Sequence, residues 1–275
     1  MLGVIGVDSL DGLLGDIPVE HRHPSLNLAP GLSEQELSSV FGAIAAENAS
    51  SSNGYISFLG AGAYSHYIPS TVRAILQRGE FVTAYTPYQP EAAQGTLQVG
   101  FEFQTIICQL TGMEVANAGM YDGPTAFAEA CLMAARVTKR NRIGVLSTTD
   151  DRLPDTLRAY SKYQGIEIVS IAPDATEIPD DLACIGIQSP NFFGQIEDVE
   201  RLTDLAHANG ALSIVHVNPT ALGMFKAPGE FDVDIVTADG QPLGVPMAFG
   251  GPYVGLFACK KAHIRQMPGR IIGRT

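Results

Sequence analysis

Residues 182–217 read LACIGIQSPNFFGQIEDVERLTDLAHANGALSIVHV. Two short apolar runs, LACIGIQ and ALSIVHV, flank an amphipathic helical segment, IEDVERLTDLAHANG. A continuous apolar run of this length suits a strand covered on both faces, and a strand–helix–strand order joins parallel neighbours. The alternation extends upstream through IGVLST, LPDTLRAYSKYQG and IEIVSI, and downstream to DIVTA at 234–238. YVGLFACK, at 253–260, adds a further strand to the same sheet. The fold class is therefore α/β, a mostly parallel sheet with helices on both faces.

The first half of the chain reads as helices. Ser33 and Glu36 form a capping box ahead of Leu37, Val40, Phe41 and Ile44 at helical spacing. IPSTVRAILQRG predicts a second helix, with Pro69 near its first turn and Gly79 as its stop. Phe103, Ile106, Ile107 and Leu110 stripe a third, which ends at Gly112. Asp122 caps a fourth, where Ala126, Ala130, Met133, Ala134 and Val137 make a small-residue face suited to close packing on a sheet. ASSSNG, at 49–54, reads as a surface connection.

Composition narrows the function classes. The chain has 275 residues, 45% of them hydrophobic, and a formal net charge of -12 from 29 acidic and 17 basic side chains. Nothing builds a basic stripe, so nucleic acid and anionic membrane are poor partners. Asp8 and Asp11 interrupt the start where a signal peptide needs an apolar core, and no run is long enough to span a bilayer. A cytoplasmic location is expected. Cys108, Cys131, Cys184 and Cys259 are isolated in apolar segments and read as buried thiols; no spacing suggests a metal site.

In an open α/β sheet, ligands gather outside the carboxyl ends of the strands. SPNFFG (189–194) and HVNPTALG (216–223) both lie there, which makes Ser189, Asn191, His216 and Asn218 candidate cleft residues. They compose no Ser/His/Asp order or nucleophile elbow. FLGAGAYSHY (58–67) has two glycines of a dinucleotide fingerprint, but Ser65 stands where the third belongs. As a tight turn it still brings Tyr64 and His66 forward as candidates. TAYTPYQPEAAQG (83–95) holds Tyr85, Tyr88 and Gln94, which either wall a pocket or cover the core. Asp122, Gly123 and Thr125 open the fourth helix, where N–H groups and the dipole favour an anion. An acid already there serves as the cap and repels a phosphate.

Two long strings are specific: YTPYQPEAAQGTLQVGFEFQTIICQLTGMEVANAGMYDGPTAFAEA (85–130) and GQPLGVPMAFGGPYVGLFACKKAHIRQMPGRIIG (240–273). Together with IPVEHRHP and GLSEQEL, they closely resemble the glycine cleavage system P-protein, and more narrowly the amino-terminal-type, α subunit of its two-subunit bacterial form. The resemblance implies an aspartate-aminotransferase-like large domain of pyridoxal phosphate fold type I. It also implies decarboxylation of glycine on that cofactor, with the aminomethyl group passed to a lipoyl H-protein, and α and β subunits paired as two of each. It divides the chain into an N-terminal helical arm and connection, 1–65, and a large domain, 66–275, without the family's smaller carboxy-terminal domain.

By the same resemblance, a His-Lys pair of the β subunits corresponds to Gln241 and Pro242, neither of which forms an imine. His216 and Val217 stand where an Asp would pair with the pyridine nitrogen, and Asp122 makes Asp122, Gly123 and Thr125 a vestigial phosphate cup. Lys226, Lys260 and Lys261 lie off the motif position. The expectation is a subunit without catalytic residues, metal or cofactor of its own, supporting a β subunit that carries pyridoxal phosphate. The alternative is a truncated pseudo-enzyme acting as a ligand-binding or scaffold module. A nicotinamide dehydrogenase would rest on the GAG turn alone.

Overall fold

The computed structural model describes residues 1–50, 53–56, 58, 60, 62–82, 86–87, 90–248 and 250–274, without the side chains of 90–92. Tyr85 and Tyr88, and Ser51 and Ser52 of the serine-rich connection, lie outside the described residues. The chain divides into two compact units, Met1–Phe58 and Leu59–Thr275.

In the first unit, α1 spans Leu2–Ile5 and α2 spans Glu34–Ala46. The expected capping box forms: Ser33 Oγ accepts from the Glu36 N–H, and Glu36 Oε2 accepts from the Ser33 N–H at 2.9 Å. The α2 stripe of Leu37, Val40, Phe41 and Ile44 is exposed, and no residue of that helix is buried.

The second unit begins with α3 (Ser70–Leu76), α4 (Gly79–Val82) and α5 (Pro90–Thr111), which bends at Ala93. Gly79 thus opens a short helix instead of stopping one. α3 has already closed at Gln77, whose N–H returns to Arg73, and the Arg78–Glu80 ion pair spans the junction. Gly112 ends α5 with a left-handed φ of 71°. There follow β1 (Val115–Ala116), α6 (Gly123–Thr138), β2 (Arg142–Leu146), α7 (Arg152–Ser161), β3 (Glu167–Ile171), β4 (Leu182–Gln188), α8 (Val199–Ala208), β5 (Leu212–Val217), β6 (Ile235–Asp239) and β7 (Gly255–Cys259).

The sheet order is β1-β7-β6-β5-β4-β2-β3. Strands β2 to β6 pair in parallel, whereas β7 runs antiparallel to both β6 and β1. Alternation along β5 shows the two-sided burial: Val215 and Val217 join one core with Ile107 of α5 and Leu202 of α8, and Ile214 joins the other with α6 and α7. The small residues of α6 let it lie close, with Ala126, Ala130, Met133 and Ala134 fully buried. At its start, a Cβ on Gly255 of β7 would stand 2.2 Å from the Asp122 carbonyl oxygen, so only glycine permits this approach.

At the amino edge of the sheet, Asp234 accepts from Lys260 Nζ at 2.9 Å, from the Ser213 N–H at 2.9 Å and pairs with His207 Nε2 at 2.8 Å. Burial opposes its ionisation, but these donors prevail and hold its carboxyl below the usual range. Cys131, Cys184 and Cys259 are buried free thiols and Cys108 is half-buried. Among the described residues no helix is long and apolar enough to cross a membrane.

Candidate functional site

Strand β2 lies between β3 and β4, so the chain reverses its direction of travel across the sheet there. Such a switch point opens a crevice at the carboxyl edge, because the loops after the two central strands leave in opposite directions. A cleft of about 220 Å³ occupies that edge, lined by Tyr64, Asp150, Gln188, Asn191, His216, Asn218, Asp239 and Pro242. It adjoins a second hollow that shares Asp150, Gln188, His216 and Asp239 and adds Asp122, Arg152 and Tyr253.

The loops that form the walls are held from within. Gln188 Oε1 accepts from the Asp150 N–H at 2.7 Å, tying the ends of β2 and β4 together. The Asp150 carboxylate accepts from Arg152 Nε at 3.0 Å, from the Arg152 N–H at 3.0 Å and from a second guanidinium nitrogen. Burial works against the charge on Asp150, but the Arg152 bonds outweigh it and keep the carboxyl below its usual range. Asn191 spends its carbonyl on the N–H groups of Phe193 and Gln195 and its amide on Glu197. Asn218 caps the turn that follows β5 through Thr220.

Two side chains at the cleft floor have unusual electrostatics. His216 is 8% exposed, meets the Phe127 ring edge-on, and has Nδ1 at 3.0 Å from Thr237 Oγ1. Burial drives its pKa down to about 4 against the attraction of Asp150, so the ring is neutral at pH 7. Asp239 Oδ2 accepts from the Gly123 N–H at 3.0 Å and Oδ1 from the Gln241 N–H at 2.9 Å. Burial nevertheless raises its pKa, with the Asp122 charge adding to the effect.

Gln241 itself is 2% exposed. Its Oε1 accepts from the Tyr64 N–H at 3.0 Å, and its Nε2 donates to the carbonyls of Tyr64 and Val245, both at 2.9 Å. The carboxamide is a clamp between the turn at 62–64 and the loop after β6.

Tyr64, Asn191, His216, Asn218 and Pro242 meet at the cleft, and Asp122 faces the adjoining hollow. Ser189 instead lines a neighbouring apolar groove, where its Oγ accepts from the Glu197 N–H at 3.3 Å. Gln94 belongs to a separate hollow beside residues 270–274, and His66 is an exposed neighbour of Tyr64. Asp122 caps α6 in a reciprocal box with Thr125, and Gly123 gives its N–H to Asp239. Sequence reasoning missed Asp150, Gln188 and Asp239 as lining residues. All three end a strand or follow one at the carboxyl edge, which is the signal that found His216.

The profile of the glycine cleavage system P-protein matches residues 1–275. The chain belongs to the glycine cleavage system P-protein family. Among its relatives in that family, it is 49% identical to "Probable glycine dehydrogenase (decarboxylating) subunit 1" of Desulfitobacterium hafniense over 98% of this chain, and 48% identical to the protein of the same name from Geobacillus kaustophilus over all of it. It spans 63% of the length of each. The crystal structure of a glycine decarboxylase P-protein in inhibitor-bound form superposes with a TM-score of 0.89 at 41% identity, covering all of this chain and 63% of that one. The fold is accordingly the aspartate-aminotransferase-like one of pyridoxal phosphate fold type I.

The residues of this P-protein chain do not fit a lysine-bound pyridoxal phosphate. Its lysines are Lys139, Lys162, Lys226, Lys260 and Lys261. Lys139 and Lys162 follow the far ends of α6 and α7, Lys260 is paired with Asp232 and Asp234 at the amino edge, and Lys261 is its neighbour. Lys226 stands over the Phe231 ring in the apolar groove. None lines the cleft, and the helix N–H groups that would receive a phosphate serve Asp239 and Asp122.

Proposed function

We propose that this chain acts as the α-type subunit of a glycine decarboxylase, or as that subunit's large domain, without a cofactor of its own. Its partner is a β subunit whose lysine holds pyridoxal phosphate; there glycine loses carbon dioxide and the aminomethyl group passes to the lipoyl H-protein. This chain pairs with that subunit in a heterotetramer, shapes its site and contributes to the docking surface for the H-protein, in the cytoplasm. Residues 66–275 are the transferase-like domain and residues 1–65 the arm.

The observation that carries the reading is Gln241. With Pro242 it stands after β6, where the resemblance puts the His-Lys pair that carries the Schiff base, and its carboxamide is consumed by three bonds that fix the surrounding loops. The place of that pair holds a structural tie and a proline, neither of which forms an imine.

The test is to mix this chain with the cognate β subunit and H-protein and to measure exchange of bicarbonate into the glycine carboxyl. Exchange is expected only in the mixture. Full exchange by the β subunit and H-protein without this chain would refute the supporting role.

A further inference from the structure

The apolar groove that Ser189 borders has a volume of about 210 Å³ and shares no titratable group with the cleft. Val215 and Val217 of β5 and Val199 of α8 form its floor, and Leu222, Phe225 and Phe231 its walls. The walls hang on two 3₁₀ turns, Pro219–Gly223 and Pro228–Phe231. Neither turn can fall inward to close the space. Asn218 caps the first, and the second is pressed against the end of α5, where a Cβ on Gly229 would stand 2.2 Å from the Gly112 carbonyl oxygen. Water fills such a space poorly, because it needs several polar partners and the Ser189 hydroxyl already accepts from the Glu197 N–H.

Two charged side chains border the groove, Glu197 and Lys226. Glu197 Oε1 accepts from Thr148 Oγ1 at 2.5 Å and from Asn191 Nδ2 at 2.7 Å, which ties the carboxylate to the loops after β2 and β4. Lys226 Nζ stands 4.3 Å from the Phe231 ring centroid and pairs with no carboxylate among the described residues. An aromatic face holds an ammonium in place without neutralising it. In a chain with 29 acidic and 17 basic side chains, that cation makes the mouth of the groove positive against the overall charge.

We propose that this groove binds a compact apolar monocarboxylate, with the carboxylate on Lys226 and the hydrocarbon part on the valine floor between Phe225 and Phe231. Size sets the class. An apolar cavity of about 150 Å³ accepts a benzene ring, so about 210 Å³ accommodates an aromatic acid of the size of benzoate or a branched short-chain acid, and no drug-sized or larger molecule. One cation answers one negative charge, and an added ammonium on the ligand would meet Lys226 as a like charge. The inference stands apart from the subunit role, because the groove lies within this chain and is read without a partner.

The experiment titrates the full chain with benzoate and, separately, with benzyl alcohol and benzylamine, reading affinity by calorimetry and the methyl resonances of Val215, Val217 and Leu222 by NMR. Saturable benzoate binding that moves these methyls is expected, at least tenfold tighter than either counter-probe. Lys226→Met should weaken benzoate at least tenfold and leave benzyl alcohol unchanged, whereas Lys226→Arg should retain benzoate. Lys226 is exposed, so both variants are expected to fold, and the wild-type titration needs neither. Unmoved methyls overturn the proposal, and so does benzoate binding that moves His216 and Tyr64 in their place. A preference for benzoate of less than tenfold over either counter-probe, or a loss of less than tenfold in Lys226→Met, overturns it equally.

Discussion

Replacing Gln241 by methionine keeps the length and volume of the side chain but deletes the three bonds that join the turn at 62–64 to the loop after β6. An ordinary neutral hydrogen bond contributes about 1 kcal/mol net, which sets an upper figure of about 3 kcal/mol for the three together. Gln241 is 2% exposed, but Tyr64 is 37% exposed, so its N–H and carbonyl can regain water if the turn loosens. The expected loss is therefore nearer ~2 kcal/mol, or a fall in Tm of roughly 4–8 °C for a chain of this size. Gln241→Glu should be worse, since it presents an oxygen to the Tyr64 and Val245 carbonyls where a donor is needed. Urea unfolding followed by circular dichroism gives the free energy, and amide exchange at residues 62–64 reports the local release. A methionine variant within about 0.5 kcal/mol of the parent, the scatter of ordinary surface substitutions, would refute the clamp.

Acidification should destabilise the chain through His216. Its native pKa of about 4 lies below the unfolded value of ~6.5, so the unfolded chain binds the proton more tightly. Stability from this ring is complete above ~6.5 and is lost progressively toward ~4, by roughly 3 kcal/mol, and His216→Phe should flatten that slope. Asp239, with its pKa raised by burial, acts in the opposite sense and gains stability as the pH falls through its native value. Gly255→Ala places a Cβ 2.2 Å from the Asp122 carbonyl oxygen and 2.8 Å from Met120 Cβ, where backbone cannot yield cheaply. Thermal melts should show a loss of at least ~1–3 kcal/mol, the usual range for overpacking. Asp234→Asn keeps an acceptor for the Ser213 N–H but removes the charge that Lys260 and His207 face. Lys260 retains Asp232 at 2.7 Å, so the cost in urea unfolding should be about 2 kcal/mol, below the range for a buried charge left wholly alone.

The parallel core of the sheet was legible because strands buried on both faces must be continuous apolar runs, and LACIGIQ and ALSIVHV are such runs. The direction of β7 was not. GLFAC records burial on two faces but carries no sign for the sense of the strand, which is set by the loop at 240–254 returning Cys259 opposite Ile235. Gly79 misled for a related reason: glycine breaks a helix but is also tolerated where a new one starts. At the site, the carboxyl-edge rule located Asn191, His216 and Asn218, although two of these amides are spent on their own turns, as their settings in NFFG and NPT foreshadow. Ser189 shows the limit of the rule, since one step along the chain from Gln188 is enough to turn a side chain into the next groove. Asp239 could be seen as an acid in the loop, but its bond to Gly123, 116 positions away, is a product of tertiary packing alone.

Whether any lysine of this chain forms an imine is decided by reduction and mapping. The chain is incubated with pyridoxal phosphate alone and again with its β partner, treated with borohydride, and each lysine is scored by peptide mass. No stoichiometric label is expected on Lys139, Lys162, Lys226, Lys260 or Lys261 in either sample, and one labelled lysine is expected on the partner. Stoichiometric label at any of the five would contradict the reading that Gln241 and Pro242 leave this chain without a Schiff-base lysine.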